Sequence, residues 1–531
     1  MKQPLVCWMK PYIQPFERIL ALAELRALAQ AEPAPVDQNA ELPVLFAVPP
    51  VVKPAALAQR LAYWETIESD RTYVTTQALR ERTVNAVRNG VSPSEIPQLL
   101  LIEETALPNR RCLRYGTHGI HEYRGKFFPQ LVRSLINIAG VPKGGIVADP
   151  MCGSGTAAVE AVLDGYHTLG LDMNPLSVLM TRVKCSLLSV DPVFLVSAYE
   201  AIRSQLLRPT AKRNGRLIYF SALPIRDREY LSGWFSDQVL EDLDEVARAI
   251  EAADKRIRDF FRLCLSNIIR GVSWQKNDDL RVRKELRLDA EIDPAREFLE
   301  ELGRSVRLVL AFLHRNREAA LGSFEVAEGD ARNLIGAWSR WKGKIDVVIT
   351  SPPYATALPY LDTDRLSLCY LGLLSRPEHR RRDEHMIGNR EISEKQRSMY
   401  WTLFESRKEK LPKSVSELIE RVSTLNSRIQ VGFRRRNLPA LLTKYFTDMQ
   451  QVFDGINSVL RPRSAAYVVI GNNHTIAGGE RVDIQTGSLL IDLASAVGMR
   501  LERRIPMEML VSRDIFRKNA VASEEILCFR T

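Results

Sequence analysis

Two stretches of this chain carry residue types at spacings suited to group-transfer chemistry. In Ile345-Asp346-Val347-Val348-Ile349-Thr350-Ser351-Pro352-Pro353-Tyr354 an apolar run with the length of a buried strand ends in a serine, two prolines and a tyrosine. Successive prolines fix the backbone and remove two N–H donors, so nearby carbonyls can face a ligand as acceptors. An amine offers hydrogens to such acceptors, and the tyrosine offers a stacking face. A rigid Pro-Pro turn without chemistry is the competing reading of the segment taken alone. In Ile146-Val147-Ala148-Asp149-Pro150-Met151-Cys152-Gly153-Ser154-Gly155-Thr156 a strand runs into a glycine-bearing turn and then a helix. Glycine lets backbone N–H groups and the helix start approach a ligand closely. Asp172, in Leu169-Gly170-Leu171-Asp172-Met173-Asn174-Pro175, ends the next strand about 20 residues on, where a carboxylate can accept both hydroxyl hydrogens of a ribose. Asp330, before Ala331, follows another strand. It is read either as a receiver of an adenine amino group or as a helix N-cap.

Together these segments resemble the DNA amino-methyltransferase family, enzymes that modify N4 of cytosine or N6 of adenine. Asp149-Pro150-Met151-Cys152-Gly153-Ser154-Gly155-Thr156 is similar to the family's motif I, with Met151 in place of phenylalanine. His121-Glu122-Tyr123-Arg124-Gly125-Lys126-Phe127-Phe128-Pro129 is similar to the Lys-Phe-x-Pro stretch placed against the methionine end of the cofactor, which carries over Lys126, Phe127 and Phe128. Ser351-Pro352-Pro353-Tyr354 resembles motif IV. The resemblance implies S-adenosyl-L-methionine as cofactor, held by Asp149, Pro150, Cys152, Gly153, Ser154, Gly155, Thr156, Asp172, Met173, Asn174, Asp330 and Ala331. It also implies that Ser351 and the Pro352 carbonyl bind the amine hydrogens while Tyr354 stacks on the flipped base. Serine in the first position, after Thr350, is commoner in N4-cytosine enzymes, and aspartate in N6-adenine enzymes. A C5-cytosine enzyme would need a thiolate in a Pro-Cys setting. None of the seven cysteines has one.

The elements that must position these residues read as an α/β domain. Strands are predicted at 145–149, 167–172, 324–327, 345–350, 466–471 and 525–529, alternating with helices, the pattern of a parallel Rossmann-like sheet of the class I S-adenosylmethionine-dependent methyltransferase type. The expected organisation is a helical N-terminal region with a Pro-rich arm (1–105), the cofactor half of the core (106–190), a helical insertion (191–320), the catalytic half (321–372), a basic insertion (373–437) and the C-terminal part of the core (438–531). About 140 residues separate the Asp172 and Asp330 segments, which the compact members of the family lack. That insertion leaves the place of the target-recognition element open.

Net charge is +10 with a pI of about 9.2, which suits a polyanionic partner without proving one. The basic insertion is the leading surface for DNA, through Arg380, Arg381, Arg382, Arg434, Arg435 and Arg436. The stretch from Arg270 to Arg287 in the helical insertion competes with it. The cysteines are scattered and never paired as Cys-x-x-Cys, and the seven histidines show no metal spacing, so no metal is expected. Without an apolar leader or a membrane-length apolar run, a cytoplasmic, membrane-free protein is expected. A restriction or defence-system partner stays open. Two alternatives to the DNA reading remain: an RNA- or protein-directed methyltransferase, and a catalytically silent module that binds DNA.

Overall fold

In the computed structural model the described residues are 3–84, 87, 92–96, 98, 111–123, 125, 127–208, 217–276, 283–286, 291–317, 319–355, 360–507 and 524–531. Five antiparallel strands open the chain: β1 (Leu5–Met9), β2 (Ala34–Pro35), β3 (Leu45–Val48), β4 (Trp64–Glu68) and β5 (Thr72–Val74). The main sheet follows with β6 (Ile146–Asp149), β7 (His167–Asp172), β8 (Phe324–Glu328), β9 (Ile345–Thr350) and β10 (Leu460–Gly471). After a hairpin of β11 (Asn473–Ala477) and β12 (Glu480–Ile484), β13 (Arg500–Met507) and β14 (Glu524–Arg530) complete it.

The main sheet has the order β13-β14-β10-β9-β6-β7-β8. Six strands run in one direction, and β14 alone runs antiparallel, to both β10 and β13. Every strand read from the sequence is present. Such runs are legible because a sheet covered on both faces demands near-continuous apolar residues. Alternate side chains feed two cores: Val347, Ile349, Tyr467 and Val469 face one, and Val348, Ala466, Val468 and Ile470 the other. Chain order reverses between β6 and β9, which leaves a crevice beyond their carboxyl ends, where ligands bind in open α/β sheets.

The N-terminal region contains the expected helix, Pro15–Ala29, and the sequence reading missed the sheet beside it. Its strands are two to five residues long and interleaved with prolines, so no period-2 pattern develops. The region is welded to the main domain through buried polar groups. Glu24 accepts from the Ala62 and Tyr63 backbone N–H groups and from Asn137, each at 3.1 Å. Deeper in, Glu160 accepts from the Tyr115 hydroxyl at 2.6 Å and shares a hydrogen with His118 at 2.8 Å, while Arg133 pairs with Asp164 at 3.0 Å. Such a network is tolerable in a core because each charge faces an opposite one.

Between Ser186 and Arg315 the described chain is helical, with an amphipathic bundle built on Asp237–Ala252, Lys255–Val272 and Pro294–Arg315. The basic stretch is helical as well, in Arg376–His385, Glu394–Arg407, Lys413–Ser427 and the start of Phe433–Val459. No helix among the described residues is long and apolar enough to cross a membrane.

Candidate active site

The carboxyl ends of β6, β7 and β9 open into one cleft. Asp149, Pro150, Cys152, Gly153, Ser154 and Thr156 line it from the turn after β6, Asp172, Met173 and Asn174 from the end of β7, and Ser351 and Pro353 from the end of β9. Phe127, Gly329 and Ala331 also face it. Residues far apart in sequence therefore meet because β6 lies between β7 and β9 and the three strands end within two residues of one another.

The turn after β6 owes its shape to two glycines in the left-handed region, Gly153 at φ +48° and Gly155 at φ +78°. A Cβ on Gly153 would lie 3.0 Å from the Tyr123 ring, and one on Gly155 would lie 2.7 Å from Thr181 Oγ1. A side chain at either position would strain the backbone and push on a neighbour, Tyr123 of the cleft wall at Gly153 and Thr181 of the helix Pro175–Ser186 at Gly155. Lys184, buried beneath the turn, donates to the Ser154 carbonyl at 2.9 Å.

Asp172 is gripped from one side. Its Oδ2 accepts from the Gly153 N–H and its Oδ1 from the Asn174 N–H, both at 2.8 Å. A carboxylate holds about four acceptor sites, so acceptor capacity remains for the cleft. Burial pushes its pKa up from 3.8 to about 6, against those backbone bonds. Asp149 accepts from the Thr350 hydroxyl at 2.8 Å and from the Met151 N–H at 3.1 Å. It links the cofactor strand β6 to the strand that carries Ser351. Burial raises its pKa to about 7, with the Asp172 charge adding to the rise. Burial and these two carboxylates push the Cys152 thiol well above its ordinary value. A thiol so disposed packs and does not act as a nucleophile.

At the other wall, the Ser351 hydroxyl donates to the Val469 carbonyl of β10 at 3.0 Å, and the Tyr354 hydroxyl donates to Glu524 at 2.6 Å. Pro353 faces the cleft. Gly388 packs so closely that a Cβ there would lie 3.0 Å from both the Pro353 ring and the Tyr354 carbonyl.

Several expected residues lie elsewhere. Phe128 turns into the core shared with the N-terminal region, where the Arg111 guanidinium covers its ring at 4.7 Å. Gly155 shapes the turn as the residue before the helix Thr156–Leu163, without facing the cleft. Asp330 is not among the cleft-lining side chains: its carboxylate caps the following turn at the Arg332 N–H and pairs with the Arg332 guanidinium at 2.6 Å. That is the capping alternative in its geometry. Pro352 and Tyr354 stand just outside the cleft wall, and Lys126 lies outside the described residues.

The arginines divide. Arg382 donates to the Met173 carbonyl at 2.9 Å and pairs with Glu328, so it braces the rim at the end of β7. Arg380 pairs with Glu384 at 3.5 Å and Arg434 with Glu391 at 2.9 Å, both on the surface, while Arg381, Arg435 and Arg436 are exposed. Sequence reasoning missed Tyr123, Met386 and Ile387 as cleft residues. Met386 and Ile387 belong to the basic stretch and are held there by Lys444, which donates to the Met386 carbonyl at 2.7 Å. No local pattern marks them, because their position depends on a helix 50 or so residues downstream.

The cleft suits S-adenosylmethionine. Its glycine turn leaves room for a ligand against the backbone, and a carboxylate with spare acceptor sites ends β7. The RMKL-like methyltransferase domain of UPF0020 matches residues 121–186, which span the aromatic stretch, the glycine turn and Asp172. The Type II methyltransferase M.MvaI of Kocuria varians is 27% identical over 266 residues, covering 48% of this chain and 58% of that protein. The Type II methyltransferase M.BsoBI of Geobacillus stearothermophilus is 23% identical over 421 residues, covering 72% of this chain and 80% of that protein. A tRNA (guanine(10)-N2)-dimethyltransferase of Methanocaldococcus jannaschii is 29% identical over 99 residues, 17% of this chain and 28% of that protein. The chain therefore resembles the DNA amino-methyltransferases, and its residues 121–186 match a methyltransferase domain, with S-adenosylmethionine as the methyl donor.

Proposed function

We propose that this chain methylates the exocyclic amine of a DNA base, with N4 of cytosine as the first choice and N6 of adenine as the second. The observation that carries the reading is the Ser351 hydroxyl. Because its hydrogen goes to the Val469 carbonyl, its oxygen can present lone pairs to the cleft. An amine hydrogen needs such an acceptor, and the Pro352 carbonyl is assigned as the second. Holding both amine hydrogens turns the nitrogen lone pair toward the donor, and transfer follows from proximity and alignment. S-adenosylmethionine supplies the electrophilic methyl group. Asp172 is assigned to its ribose, and Phe127 with the turn from Asp149 to Thr156 to its methionine end.

A base within a duplex cannot enter this cleft, so a double-stranded substrate must present it flipped, with Tyr354 as the stacking face. Arg381, Arg435 and Arg436 are assigned to phosphates, helped by Arg380 and Arg434. Serine at 351 favours cytosine by family association, since serine and aspartate can both accept the amine hydrogen bond.

The test is single-turnover methylation of DNA by the purified chain and by Ser351→Ala, with the modified base identified afterwards. Loss of one preorganised polar contact should slow transfer on the order of a hundredfold while cofactor binding persists. Wild-type turnover in that variant would remove Ser351 from the chemistry. Methylation of RNA in place of DNA would replace this reading by a second one, which the likeness to the tRNA dimethyltransferase favours.

A further inference from the structure

The catalytic loop is fastened on the side away from the cofactor residues. Three hydrogen bonds tie Ser351–Ala355 to the far half of the sheet: Ser351 to the Val469 carbonyl at 3.0 Å, Tyr354 to Glu524 at 2.6 Å, and Asn473 to the Ala355 carbonyl at 2.6 Å. Glu524 opens β14 and lies opposite Gly471, the last residue of β10, and Asn473 opens β11 two residues later. These three partners come from β10 and its two neighbours in space or sequence. Glu524 is not among the residues that line the cleft.

A tyrosine ring has two side-chain torsions. Its root is fixed here by the preceding prolines, and the bond to Glu524 fixes its far end. At 2.6 Å the bond lies in the range of charge-assisted contacts. With both ends held, the ring's long axis has one direction before any base arrives, and only rotation about that axis remains. Stacking is strongest when the face need not be ordered on binding. We infer that Glu524 is a positioning residue that sets the Tyr354 ring for an incoming base, an inference that rests on the base-methylation reading above.

A double-mutant cycle tests it, using Glu524→Ala, Tyr354→Phe and the combination, with Glu524→Gln as the conservative variant. Each full-length protein is assayed for single-turnover DNA methylation, S-adenosylmethionine affinity and thermal unfolding. Glu524→Ala should slow methylation about tenfold, as expected for one hydrogen bond to a charged group, with cofactor affinity unchanged. The glutamine variant, whose amide oxygen still accepts, should recover most of the rate. In the Tyr354→Phe background Glu524→Ala should add nothing, because the bond is already gone. Additive losses, or a wild-type rate in Glu524→Ala, would overturn the inference while leaving base methylation intact. A wild-type chain that methylates no base would overturn the underlying reading and this inference with it.

Discussion

Replacing Asp172 by asparagine should leave the fold nearly as stable as before and still cost the protein much of its cofactor affinity. The native carboxyl holds its proton more tightly than an unfolded one, at about 6 against 3.8. Stability therefore falls as pH rises through that window, and at pH 7 the full cost of the buried charge is present. At about 1.4 kcal/mol per unit, and allowing for partial solvent contact, that cost is about 2 kcal/mol. Asparagine removes it and loses one of the two backbone bonds made at 2.8 Å, a loss of about 1–2 kcal/mol. The two nearly cancel. Cofactor binding has no such compensation, because a hydroxyl that met a carboxylate now meets a neutral amide. The expected weakening is about 1.5–3 kcal/mol, roughly tenfold to a hundredfold. Calorimetric titration of S-adenosylmethionine between pH 5 and pH 8, beside denaturant unfolding, reads both quantities. Wild-type affinity should fall as pH drops below about 6, and the asparagine variant should lack that limb while keeping the one due to Asp149. Unchanged cofactor affinity in a folded Asp172→Ala protein would remove Asp172 from the site, and a flat wild-type profile from pH 5 to 7 would refute the electrostatic argument.

Two further outcomes follow from the geometry. Thr350→Val deletes the hydroxyl that donates to Asp149 at 2.8 Å and lowers its pKa, so the Asp149 limb of the affinity profile should move upward from about 7; an unmoved limb would sever the proposed link between β6 and β9. Replacing Arg434, Arg435 and Arg436 by alanine should weaken DNA binding about equally across sequences and reduce the salt slope by roughly one unit per lost phosphate contact. Because Arg434 is already paired with Glu391, the slope should change by about two rather than three. Normal binding by the triple variant in anisotropy titrations at several salt concentrations would move the contact surface to the helical insertion.

Much of the sheet was legible because its strands are buried on both faces. Ile345–Thr350 and Ile146–Asp149 are short apolar runs with functional residues at their ends, and a parallel sheet places those ends on one edge. The helical insertion was legible for a similar reason, since Asp237–Ala252 and Lys255–Val272 carry apolar side chains at helical spacing. The N-terminal strands were not, being short and broken by proline. β13 escaped too: its sequence, Arg500-Leu501-Glu502-Arg503-Arg504-Ile505-Pro506-Met507, is largely charged. It can be so because it edges the sheet with one strand neighbour, β14, and exposes most of its side chains.

The amino-acid sequence by itself determined the two glycines of the cofactor turn, the acid at the end of β7 and the stiff Ser-Pro-Pro-Tyr loop, because each needs only its own neighbours to take its shape. What only the tertiary structure decided is how those pieces face one another and what holds them. Asp330 turned to Arg332, the capping alternative of its sequence reading, and Phe128 to the core, although its motif resembles one placed against the cofactor. The bonds from Thr350 to Asp149, from Ser351 to Val469 and from Tyr354 to Glu524 join residues 118 to 201 positions apart. No local pattern records such pairs. They exist because strand order in the sheet, set by the packing of two apolar faces, brings distant strand ends within hydrogen-bonding reach.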